Sequence, residues 1–137
     1  MASYPTIVPY LAVADAAAAI DLYKQAFGAE ERLRVPGPDR AVMHAEILIN
    51  GGLVMLTDSA PQVGSPAPAP GEKVPVGIMV AWPKPEDVDA IHARAMAAGA
   101  SSDTEPRDEP WGARFAAVTD PYGQRWWLHA RLASQPT

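Results

Sequence analysis

Ala26-Phe27-Gly28-Ala29 and Ala97-Ala98-Gly99-Ala100 each close an apolar, helically spaced stretch, and the two glycines lie 71 residues apart. Upstream of the first, Ile20, Tyr23 and Phe27 recur three and four apart behind Asp15, whose carboxylate suits a helix N-cap. Gly28 supplies the residue on which a helix over 16–27 ends. Upstream of the second, Val88, Ile91 and Ala95 form the matching stripe, entered by Pro85-Glu86-Asp87 with proline in the first turn and two acids favouring the helix dipole. Gly52 and Gly123 repeat the same offset of 71, at the turn before the last extended segment of each half. A repeat of this length marks a structural unit used twice.

Extended segments fill the spaces between these signals. A β-branched run over 7–13 precedes the first helix, and segments near 31–35, 42–49 and 53–57 follow it, split by Pro36-Gly37-Pro38 and Asn50-Gly51-Gly52. The second half resumes at 74–82, and segments near 101–105, 113–119 and 125–131 follow its helix. Residues 59–73 are rich in proline and alanine, cannot pair in a sheet, and read as a flexible joint between modules at about 4–58 and 74–132. The expected fold is α+β: paired βαβββ modules forming a curved mixed sheet, helices outside and a concave cavity inside, one domain over 1–137.

Composition narrows the function. The 137 residues are 48% hydrophobic and 20% charged, as in a globular protein. No cysteine is present, which excludes disulfides, thiolate metal sites and cysteine nucleophiles. Eleven basic against sixteen acidic residues give a net charge of -5 with no basic cluster, so neither nucleic acid nor an anionic membrane is an expected partner. No apolar run approaches the ~20 residues of a membrane span and no signal core opens the chain, so a cytoplasmic location is expected. Phosphate-binding GxxxxGK[ST], dinucleotide GxGxxG and nucleophile-elbow GxSxG patterns are missing.

The chain resembles the vicinal oxygen chelate superfamily of glyoxalases, bleomycin-resistance proteins and extradiol dioxygenases. The resemblance runs over nearly its whole length and is nearest to the PhnB-like branch. Pro9-Tyr10-Leu11, Tyr23-Lys24-Gln25-Ala26-Phe27-Gly28-Ala29, Met43-His44-Ala45-Glu46, Trp111-Gly112-Ala113-Arg114 and Asp120-Pro121-Tyr122-Gly123 followed by Trp126 carry it. It implies a homodimer with cavities at or near the interface. Metal-dependent members place His or Glu ligands at positions that fall here near Val8, near Leu56, between Val76 and Ile78, and near Trp127. None is a ligand, and no His, Asp or Glu lies within 74–82, so neither a metal nor another cofactor is expected.

The candidate site is read from strand alternation. His44, Glu46 and Leu48 share the concave face of one strand, while Met43, Ala45, Ile47 and Ile49 point to the helices. The offset of 71 pairs His44 with Phe115 and Glu46 with Ala117, so the cavity is asymmetric: Tyr10, His44 and Glu46 for hydrogen bonds, Trp111, Phe115 and Trp127 for stacking. His129 shares the inner face with Trp127, where it is a ligand contact or a third metal donor beside His44 and Glu46. Trp126 should pack beneath a helix, Arg114 should face the helices, and His92 has no assigned role. The expected function is metal-independent binding of a small aromatic or cationic compound. The alternative is a lyase, isomerase or dioxygenase using His44 and Glu46.

Overall fold

A computed structural model describes residues 3–38 and 41–132. The chain runs β1 (Tyr10–Val13), α1 (Ala16–Phe27), β2 (Glu30–Pro36), β3 (Val42–Ile49), β4 (Gly52–Asp58), β5 (Gly77–Ala81), α2 (Pro85–Ala97), β6 (Ser101–Glu109), β7 (Ala113–Thr119) and β8 (Arg125–Arg131). The strands form two four-stranded sheets of matching order, β1-β4-β3-β2 and β5-β8-β7-β6, and in each the outer pair β1/β4 or β5/β8 is parallel. This is the expected pair of βαβββ modules.

Local chemistry sets the helices as read. The Asp15 side chain accepts from Ala18 N at 3.1 Å, and Gly28 ends α1 in the left-handed conformation at φ 68°. A second carboxylate joins the first turn: Asp58, at the end of β4, accepts from Ala16 N at 2.7 Å and from Val42 N at 2.6 Å. One side chain thereby fixes the start of α1 to the start of β3.

The core lies between helices and sheets. Ile20, Tyr23 and Phe27 of α1 and Val88, Ile91 and Ala95 of α2 pack on Ala45, Ile47, Leu56, Ala116, Val118, Trp126 and Leu128, all buried. Trp126 is fully buried against Tyr23 and Phe27, with ring centroids 5.1 and 4.9 Å away. The modules meet through this cluster and through Asp120, which accepts from Tyr23 Oη at 2.5 Å, Trp126 Nε1 at 2.9 Å and the backbone N–H groups of Tyr122 and Gln124. Gln124 Nε2, from the loop before β8, donates to Ala12 O of β1, and Asn50 Nδ2, from the turn before β4, donates to Ala81 O of β5, so each module bonds to the edge strand of the other. The apolar faces of both sheets are thus spent on the helices, and the opposite faces are open.

Three expectations change. The first strand begins at Tyr10, because Pro9 has no N–H for the ladder, so Val8 precedes the sheet. Met43 does not join the helix side: Val35 pairs with His44 and Pro36 with Val42, leaving Met43 as the extra residue of a bulge and 57% exposed. Residues 59–73 are not simply a flexible joint. Ala60 and Ser65 bridge around a 3-10 turn over Pro61–Val63, and Val74 N donates to Gly123 O. A Cβ at Gly123 would overlap the carbonyl of Glu72, so the joint is seated on the second module.

Candidate functional site

The offset of 71 holds for β3 and β7, where Ala45 and Ile47 match Ala116 and Val118 on the helix side. It slips to 72 between β4 and β8. Ile49 and Gly52 pair across a two-residue turn, whereas Thr119 and Arg125 pair across the longer Asp120–Gln124 loop. Buried Val54 and Leu56 therefore match buried Trp126 and Leu128, and the open-face counterpart of Trp127 is Met55. Leu56, which falls near a ligand position of metal-dependent members, is under the helices and not on the open face.

On the open face of the first module Tyr10, His44 and Glu46 meet. Tyr10 Oη lies 2.6 Å from His44 Nδ1, and His44 Nε2 lies 2.9 Å from Glu46 Oε2. Glu46 is 2% exposed, unusual for a carboxylate, and is held by two residues absent from the expected site. Tyr4 Oη donates to its Oε2 at 3.0 Å and Arg32 Nε approaches Oε1 at 3.3 Å, with the Arg32 guanidinium over the Tyr4 ring. The hydrogen bond from His44, aided by Tyr4 and Arg32, holds the Glu46 carboxyl below its ordinary range, although burial opposes this. Glu46 is a carboxylate and can only accept, so His44 Nε2 carries hydrogen, and Tyr10 Oη shares a second hydrogen bond with Nδ1. Burial, with the Glu46 charge nearby, raises the Tyr10 phenol above its ordinary value and keeps it protonated.

Tyr10 opens onto two hollows. One, of about 480 Å³, lies between Tyr10, Ala12, Met43 and Thr57 on the sheet and Gln62 and Val63 of the 3-10 turn. The other, about 310 Å³, runs from Tyr10 to Pro66, Pro68, Val76 and Ile78. Both are of the size that small ligands occupy. The bulge that exposes Met43 and the turn that carries Gln62 build the larger one, and neither has a periodic signature in sequence.

The second module carries the aromatic group. Trp111, Phe115 and Trp127 form a run of edge-to-face contacts, with centroids 6.3 and 6.1 Å apart. Trp127 lies across Gly77 of β5, where a Cβ would overlap the indole, and remains 38% exposed; Met79 beside it is 52% exposed. His129 sits on β8 opposite Phe115 and Ala81. Within one chain the aromatic group does not line either hollow at Tyr10: β5 intervenes. Arg114 faces the helices as expected and forms paired bonds of 2.7 and 2.8 Å to Asp89 of α2. His92 joins α2 to β6 through Ser102, 2.8 Å away.

The family model described as the Glyoxalase/Bleomycin resistance protein/Dioxygenase superfamily matches residues 5–128. The chain belongs to this superfamily. An uncharacterized protein of Mycobacterium bovis is 43% identical over 129 residues, covering 90% of this chain and 82% of its own. Among solved structures, TioX from Micromonospora sp. ML1 is 30% identical with a TM-score of 0.71, covering 94% of this chain and 100% of its own. The PhnB protein of Bacillus cereus shares the fold at 21% identity and a TM-score of 0.69, covering 92% and 99%. The PhnB-like motifs thus have a counterpart in fold.

A glyoxalase-type metal centre does not fit the residues present. The open-face positions on the parallel strand pairs are Tyr10 and Ala12, Met55 and Thr57, Gly77, Met79 and Ala81, and Arg125, Trp127 and His129. These offer one imidazole among groups that bind divalent ions poorly. Among the described residues no three His, Asp or Glu side chains converge, so His129 does not complete a set with His44 and Glu46.

Proposed function

We propose that this superfamily member is a small-molecule binding protein of the cytoplasm that takes an aromatic compound on its open face without a metal. The observation that carries the reading is the chain Tyr10–His44–Glu46, anchored in the sheet at a buried carboxylate and ending at a hollow of about 480 Å³. Ligand sites of this kind combine apolar walls with a few fixed polar groups. The rings of Trp127, Phe115 and Trp111 supply a stacking surface, and Gly77 lets Trp127 lie flat with one face to solvent.

The two halves belong together in a homodimer. Exposed Tyr10, Met79, Trp111 and Trp127 lie on the side that the helices leave open, a concentration of large side chains typical of a surface that is covered in use. With the second module of one copy over the first module of the other, the rings close above the polar chain. Sedimentation should show a dimer at micromolar concentration; a monomer throughout would confine the ligand to the hollow itself.

Ligand-observed NMR against planar aromatic compounds, with and without EDTA, tests the function. Binding that survives the chelator and is competed within one site supports it, and no binding across the panel contradicts it. The hydrogen-bonded chain also favours a second reading, proton transfer by His44 and Glu46 in a lyase or isomerase. Turnover lost in His44→Ala would distinguish it from simple sequestration.

A further inference from the structure

We infer that the polar chain selects a phenol or enol and takes up its proton, binding the ligand as its anion. This rests on the proposal that the open face binds a small aromatic molecule, and it adds the chemistry of the group facing Tyr10.

The direction of the hydrogen bonds carries the argument. Glu46 accepts from Tyr4 and His44 and faces Arg32, so His44 Nε2 is committed as a donor. In the proposed Nε2–H tautomer His44 has one lone pair, at Nδ1, and the Tyr10 hydrogen occupies it. Tyr10 lines the hollow, and with its hydrogen given to His44 its oxygen is left as an acceptor. A ligand group at that point must donate.

Charge selects among donors. Glu46 and Arg32 cancel, and in the proposed tautomer His44, like Tyr4 and Tyr10, adds nothing, so the cluster has no net charge to offer a cationic ligand. A neutral, acidic hydroxyl fits better. Its O–H bond breaks and the proton joins Tyr10 Oη; the Tyr10 proton moves to His44 Nδ1. The products are a ligand oxyanion that accepts from Tyr10, a neutral Tyr10, and an imidazolium whose Nε2–H still faces the Glu46 carboxylate. One negative and one positive charge form together, and the buried carboxylate stabilises the positive one. No metal or oxidant enters.

4-Nitrophenol is the probe, since its anion absorbs in the visible and its neutral form does not. At a pH where free nitrophenol is mostly neutral, wild-type protein should raise the phenolate absorbance at least fivefold at saturation. Tyr10→Phe and His44→Gln should bind it with the absorbance of the free compound. Nitrogen-resolved NMR of histidine provides a check without ligand: His44 should carry hydrogen on Nε2 alone, and on both nitrogens once nitrophenol is bound. Saturable binding of neutral nitrophenol to wild type, or an Nδ1–H tautomer in the free protein, would overturn the proton uptake and leave the binding reading intact. Failure of nitrophenol to bind in equilibrium dialysis would overturn the phenol assignment, and the binding reading would then rest on the aromatic panel.

Discussion

Gly77 is fixed by what lies over it rather than by its own backbone. Its place on the open face of β5 is filled by the Trp127 indole, and a methyl group there would overlap the ring. Gly77→Ala should swing the ring off the sheet, at a cost of about 1 kcal/mol because Trp127 is partly exposed and can move. A red shift in tryptophan emission with a small loss in urea midpoint is the expected result. Glu46 gives a test in pH. Its carboxyl is held below the ordinary glutamate range by His44, Tyr4 and Arg32, so the folded state binds its proton less readily than the unfolded chain. The stabilisation is present above the ordinary glutamate range and is lost as pH falls through the lowered value. Wild type should therefore lose melting temperature on acidification more steeply than Glu46→Gln. Parallel curves would place the charge of Glu46 outside the stability balance.

The joint between modules is concentrated in few groups. Asp120 is buried, and its carboxylate satisfies Tyr23 from the first module and Trp126 and two backbone N–H groups from the second. Asp120→Ala would leave buried donors without an acceptor, at a cost of about 3 kcal/mol. Chemical denaturation should show this as a lower midpoint, and a change below 1 kcal/mol would mean that packing of Tyr23, Phe27 and Trp126 alone holds the modules. The helices were legible in sequence because Asp15, Gly28 and Pro85 each act on the backbone beside them, as were β3, β7 and β8 from alternation. What was not legible depends on distant partners or loop length. The offset of 71 pairs Leu56 with Trp127, but the turns before β4 and β8 differ in length, and a slip of one residue puts Leu56 on the opposite face. Met43 turned outward at a bulge that strand alternation does not announce. Tyr4 and Arg32 reach Glu46 from outside its own strand, and no spacing rule connects them.

At the scale of the whole molecule, both modules spend one face on the helices and leave the other open, and repetition makes the open faces alike in form but not in chemistry. The first carries a polar chain ending at Tyr10, the second a run of rings ending at Trp127. The asymmetry at His44/Phe115 and Glu46/Ala117 was readable from the offset of 71, because it holds on β3 and β7. On the function proposed above, this face binds its ligand without a metal. Equilibrium dialysis of 4-nitrophenol against the purified protein, in excess EDTA and then with added zinc, nickel, iron(II) or manganese, addresses it most directly. Metal-independent binding gives the same affinity in every condition; binding that appears only when a metal is supplied would contradict it.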